Sequence, residues 1–341
     1  MTSSRIHRTI LTALAVVVIV SGVILSIWLY YFFHNHNIIL TPDNQTPDFT
    51  VTGPIGDFVG GVIGTVFTFA TTLLVIVTLL EQRDHSHREH FAQNYYEMLR
   101  IHNDNVSKMQ IRKPNGEVIR GREVFAQLIK DYERVYDYVH SYMLNIINGG
   151  VEDLQENEDI GRFLSTPENI KSLEMRLAYG YYFFGSEDYH LQKAVSPIEH
   201  YIEEKIRSLM VETNTVVYSH HVLLGHYYRH IYQMIMQIVS EKSIDEDERY
   251  TYAKQLRAQL NDNEQVLLYY NAMSEVGDEW LKIPNSDKSI KKSSQMCLMA
   301  RFRMIKNLQP NRMVKGIQPK DKFKAEIQRY KSDNKTFFEI E

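Results

Sequence analysis

Two stretches decide the fold: ILTALAVVVIVSGVILSIWLYYFF at residues 10–33 and VGGVIGTVFTFATTLLVIVTLL at residues 59–80. Neither contains a charged residue. No lysine or arginine occurs between Thr9 and Gln82, although the chain carries 38 of them. Each run exceeds the roughly 20 helical residues needed to cross about 30 Å of hydrocarbon. Both are expected to be transmembrane helices.

The first run follows Arg5 and Arg8, a layout shared with cleaved secretory signals. Signal cores are shorter, about 7–15 residues, and end at small side chains. This run exits through Trp28, Tyr30, Tyr31, Phe32 and Phe33, which suit a membrane interface. It reads as an uncleaved anchor. Arg5 and Arg8 precede the first span and Arg83 and Arg88 follow the second, whereas the intervening loop carries only Asp43, Asp48 and Asp57. The positive-inside rule then places the loop outside and both chain ends inside.

The resulting division is a cytosolic N-terminus at 1–9, a first span at 10–33, an extracytoplasmic loop at 34–58 and a second span at 59–80. A helical cytosolic domain at 81–310 and a basic tail at 311–341 follow. Beyond Glu81 there are 36 basic and 38 acidic residues, a balance that gives no global attraction for nucleic acid. The single Cys297 excludes an internal disulfide and fits a reducing compartment.

The fold class expected is mainly α, with two transmembrane helices, an all-α cytosolic domain and one small β-hairpin near 110–120. From Leu80 to Met109 no proline or glycine interrupts the pattern, so the second span is expected to continue as one helix into the domain. Pro114-Asn115-Gly116 between Ile111 and Val118-Ile119 predicts a two-residue hairpin turn. Helical spacing then runs from Phe125 to Ile147, ending at Asn148-Gly149-Gly150. The acidic stretch Glu152–Asp159 reads as a solvated connection. Thr166-Pro167-Glu168 opens the next helix. Further helices are expected over 195–212, 217–240, 246–261, 262–276 and 290–308, with Asp262 and Gln265 as a capping box. The tail is lysine-rich and weakly periodic.

Gly56, Gly60, Gly64, Thr68 and Thr72 recur every four residues and form a narrow stripe of small side chains on one helix face. Gly22 and Ser26 make a shorter one on the first span. Such stripes serve either packing of the two spans as a hairpin or association between copies of the chain. His226 and His230 have the spacing of a zinc-binding pair, but Tyr227 stands where a zincin needs its glutamate. His85, His87 and His90 cluster just after the second span. Arg134…His140 and Arg83…His90 match the arginine–histidine spacing of helical ribonucleases, at a frequency chance supplies. No Walker loop, nucleophile elbow or cysteine pair is present. No metal, cofactor or catalytic residue is therefore expected.

Several stretches together resemble a known family. They are Gly56-Asp57-Phe58-Val59-Gly60-Gly61, His102-Asn103, Gly121-Arg122 with Phe125, Gly225 to Tyr232, Leu256-Arg257-Ala258-Gln259-Leu260, and Glu264 with Leu267 to Asn271. In order and spacing this series is similar to the putative phage abortive infection proteins, bacterial two-span proteins with a helical cytosolic domain. The resemblance covers roughly residues 50–275. It implies an antiviral effector at the inner membrane, dormant until infection and able to arrest or kill the cell. Some two-span effectors of this kind resemble the toxic arm of retrons, which suggests a regulatory partner such as a reverse transcriptase with its RNA–DNA product. His226, Arg229, His230, Arg257, Gln259 and Asn271 are polar positions of the resemblance with no assigned role.

The function expected is disruption of the inner membrane when the cytosolic domain is activated or released by its partner, through a homo-oligomer of the spans among membrane lipids. The rival expectations are a membrane-tethered nuclease and a non-toxic membrane receptor or scaffold.

Overall fold

Runs of helix formers broken by glycine, proline and capping residues produce a chain that is helical almost throughout. A computed structural model describes residues 3–35, 49–113, 115–148, 163, 166–193, 197–284, 296–309, 312 and 314–339. The acidic stretch at 152–159 and the glycines closing at 149–150 lie outside these residues. Among the described residues are eleven α-helices and a two-stranded antiparallel hairpin. They fall into two compact units, Met1–Ala92 and Gln93–Glu341.

In the first unit, α1 spans Ser3–Asn35 and α2 begins at Phe49, well ahead of the apolar run. Both helices are long and apolar enough to cross a membrane. Only 11% and 17% of their apolar windows are buried, whereas the core helix of a water-soluble protein would be mostly buried. The two touch at Gly22, where a Cβ would lie 3.1 Å from Val66 and 3.3 Å from Phe67. Arg8, in the N-terminal part of α1, reaches Asp84 of α2 at 3.4 Å. That bridge is half exposed and contributes little.

Helix α2 is a single element, Phe49–Lys108, as the absence of helix breakers after Leu80 predicts. Strands β1 (Gln110–Arg112) and β2 (Val118–Arg120) follow, with Ile111 opposite Ile119. The hairpin is where the sequence places it, but its turn is longer than two residues. Lys113 N–H donates to Glu117 O at 2.8 Å, and Gly116 takes φ +86°, the left-handed position that closes a wider loop.

The second unit is organised on α3 (Glu123–Asn148), whose buried face runs from Val124 through Tyr132 and Val139 to Ile146. It packs against α4 (Pro167–Phe184), α5 (Pro197–Glu212) and α8 (Asp262–Ala272). Between α5 and α8 come α6 (His221–Ser240) and α7 (Glu246–Arg257). Both α7 and α8 open with complete capping boxes, Asp245 with Glu248 and Asn261 with Glu264. The second box sits one residue before the expected pair, because Asn261 holds the extended backbone an N-cap needs (φ −74°, ψ 175°) and Asp262 is already helical. A 3₁₀ turn at Asp278–Leu281 buries Trp280.

Among the described residues, the helix expected over 290–308 is only α9, Leu298–Arg301, followed by turns. The tail is better packed than its composition suggests. It holds α10 (Pro319–Lys322) and α11 (Lys324–Ser332), and Phe323, Phe337 and Phe338 are buried. Tyrosines of the core hold it. Tyr269 donates to Ile317 O at 2.7 Å, and Lys315 N–H donates to the Tyr270 hydroxyl at 2.8 Å. A buried tyrosine needs such a partner for its polar end.

Candidate functional site

Family-motif residues far apart in sequence meet at one place in the second unit, around the C-terminal part of α2. The centre is Glu264 on α8, fully buried. Its carboxylate accepts from Asn261 N–H at 2.7 Å, from Arg122 at 3.4 Å and from the Tyr227 hydroxyl at 3.3 Å. Arg122 follows Gly121, whose φ of +60° turns the chain from β2 toward α3. The same guanidinium donates to Asn103 Oδ1 at 3.3 Å, and the Asn103 amide donates to Gln259 Oε1 at 3.2 Å. One helical face of α2 thus meets the loop between α7 and α8.

His102 lies beside this network and is 1% exposed. Its ring stacks on His230 at 5.9 Å and approaches Tyr227 at 5.5 Å, and Tyr227 in turn packs on Phe125 at 5.0 Å. His230 Nε2–H donates to Met98 O at 2.9 Å. The His102 Nε2 is buried with no hydrogen-bond partner among the described residues. Burial, then the neighbouring His230 and Arg122, push the His102 imidazole down to about 4, so it is neutral at pH 7. Burial raises the Glu264 carboxyl, against the stabilising donors from Asn261, Arg122 and Tyr227.

Chemically the set could accept a proton at His102 and hold an anion at Arg122, which is half exposed. A substrate cannot reach His102 Nε2 as it stands, because that atom is sealed. The arrangement is that of a polar clasp on α2 rather than an open catalytic pocket.

The other singled-out residues lie elsewhere. His226 and Arg229 are exposed on α6. Asn271 is buried and donates to the Tyr179 hydroxyl at 3.1 Å. Arg257 is buried against the turns after α9. His85 pairs with Glu89, and in the Arg134…His140 spacing Arg134 pairs with Asp131 and His140 with Glu174. No group of three metal-ligating side chains occurs among the described residues. In the first unit, Gly56, Gly60 and Gly64 have nothing within 4 Å of the position a Cβ would take. With Thr68 and Thr72 they are exposed, and Gly60 to Thr72 line a shallow groove on α2. Gly22 meets Val66 and Phe67 instead, and Ser26 bonds back to Gly22 O. Sequence reasoning missed Glu264 as the hub and His102 as its neighbour, although both fall within the stretches of family likeness.

The fold is mainly α with two membrane-length helices, and within the second unit a buried polar network holds the C-terminal part of α2. Residues 219–284, which carry α6, α7, α8 and the 3₁₀ turn, match the family model described as putative phage abortive infection protein. The match bears out the resemblance and supports a role in antiviral defence. No curated protein and no solved structure matches the chain.

Proposed function

We propose that this protein is a two-span effector of the bacterial inner membrane, with both ends in the cytoplasm, that disrupts the membrane of an infected cell. The helical domain holds the spans dormant, alone or with a regulatory partner such as a reverse transcriptase and its RNA–DNA product. Activation lets the spans of several copies associate among the lipids. The observation that carries this reading is that one helix, α2, bears both the open stripe Gly56–Thr72 and the clasped pair His102-Asn103. A change at the clasp acts on the same element as the stripe. No atom lies within 4 Å of where a Cβ would sit on Gly60 or Gly64, which supports a role for this part of the stripe between chains.

The test is replacement of Gly60 and Gly64 together by leucine, with Val75→Leu as control. Insertion should be unaffected, since the span becomes more apolar. Depolarisation on activation should be lost while the amount of protein in the membrane persists. Normal leakage from a fully inserted double variant would remove the stripe from the mechanism.

A further inference from the structure

Between α5 and α6 the chain runs through Thr213 to Ser219, and hydrogen bonds fix its course. Asn214 takes φ +50°, its N–H donates to Val211 O at 3.1 Å, and Thr215 N–H donates to Met210 O at 2.8 Å. These two bonds are the Schellman closure of α5 and turn the chain out of the helix. The Tyr142 hydroxyl on α3 bonds the hydroxyls of Thr213 and Thr215 at 2.7 and 2.8 Å. At the other end the Ser219 hydroxyl donates to Phe183 O at 2.8 Å. The segment is thus tied at both ends, to α3 and to α4.

Between the ties it is extended. Ser186 N–H donates to Val217 O at 3.0 Å and Val217 N–H donates to Ser186 Oγ at 3.1 Å, so both polar groups of Val217 face one side, as in a strand. The side chains alternate accordingly: Val217 is 8% exposed, Val216 52% and Tyr218 80%. The N–H and C=O of Val216 and Tyr218 then point away from Ser186, and neither residue has a backbone hydrogen-bond partner among the described residues. Among those residues, the four most exposed large apolar side chains of the second unit are Val211, Val216, Tyr218 and Val222. An open backbone edge with exposed apolar side chains invites the addition of another strand.

We propose that this edge pairs with the same edge of a second copy of the chain, antiparallel and two-fold about Val217. The occupant follows from the pattern. A two-fold axis at Val217 sets Val216 of each copy opposite Tyr218 of the other, and each facing pair exchanges both of its N–H···O bonds. Val217 meets its own counterpart without such bonds and keeps its tie to Ser186. Each facing pair also sets a β-branched side chain against an aromatic ring, a favourable cross-strand match. No charged residue and no proline lies between Thr213 and Ser219, so the usual guards of an open edge are missing and nothing on it repels its own copy. This contact lies outside the stripe on α2 and does not rest on the effector reading.

The experiment mixes two differently tagged full-length chains in detergent, both with Cys297→Ser, one carrying Val216→Cys and the other Tyr218→Cys. In the two-fold register those positions face each other with Cα atoms about 5.5 Å apart, within reach of a disulfide. Like positions stand two residues out of register and beyond that reach. Mild oxidation should therefore link the two tags in the mixture roughly tenfold or more above the linking of either chain with itself. Absence of the mixed dimer overturns the proposal. So does equal linking in each chain alone, which is what collision or association through the spans would give. Both replaced side chains are exposed, so the variants keep the core intact, and melting alongside the Cys297→Ser parent checks it. Failure of the Gly60 and Gly64 test leaves this outcome unchanged, so the two readings stand or fall separately.

Discussion

At the residue scale, His102 gives the clasp a pH signature. Its folded value of about 4 lies below the ordinary 6.5 that an unfolded chain would show. Between those values the unfolded state binds the extra proton, so stability falls as pH drops from 6.5 towards 4 and levels off below. The raised Glu264 carboxyl contributes the opposite slope above the usual carboxylate range, so the comparison must isolate His102. His102→Phe keeps a ring on His230 and removes the titration. Melting of the full chain in detergent between pH 7.5 and 4.5 should show a steeper acid loss in the wild type than in the variant. Parallel curves would mean that the imidazole is not held neutral.

At the element scale, Gly180 shows how α4 admits its neighbour. A Cβ there would lie 2.0 Å from the ring of the buried Tyr189. Gly180→Ala should therefore destabilise the chain by about 1–3 kcal/mol through forced displacement of that ring, read as a lower melting temperature. An alanine tolerated without change would show that Tyr189 is free to move. Legibility in the sequence also divides by element. Helix α3 was readable because its buried side chains follow the helical period from Phe125 onward. The hairpin was readable from Asn115-Gly116, but its turn length was not, because the same pair also ends longer loops. The tail was hard to read because two of its ties run between core tyrosine hydroxyls and its own backbone, which leaves no periodic mark in its sequence. The clasp was visible only as separate motifs. Its longest ties, His230 to Met98 and Asn103 to Gln259, join residues 132 and 156 apart, and no local periodicity encodes which of them meet.

At the scale of the whole molecule, the charge asymmetry around the spans predicts topology. A phosphatase reporter active only outside the cytoplasm should be active when fused at Asn44 and silent when fused at Glu341. The opposite pattern would overturn the orientation. Toxicity should need the membrane. A chain lacking residues 1–81 should no longer harm cells when overproduced, with its level checked by immunoblot. Continued killing by that fragment would favour the tethered nuclease, and nucleic-acid degradation would then be the assay. The two readings thus separate on which part of the chain is sufficient.

The hydroxyls of α2 carry one more consequence. Thr65, Thr68, Thr71, Thr72 and Thr78 each turn their proton onto the carbonyl one turn back, such as Thr68 onto Gly64 O at 2.7 Å and Thr72 onto Thr68 O at 2.9 Å. In that rotamer each hydroxyl proton is satisfied within the helix, which suits the apolar surroundings a membrane-crossing α2 would have. A χ1 rotation releases the same hydroxyls outward, where they become a ladder of wetting sites. Under the proposed membrane-disrupting function, such rotations would let α2 trade an apolar neighbour for water without altering its backbone.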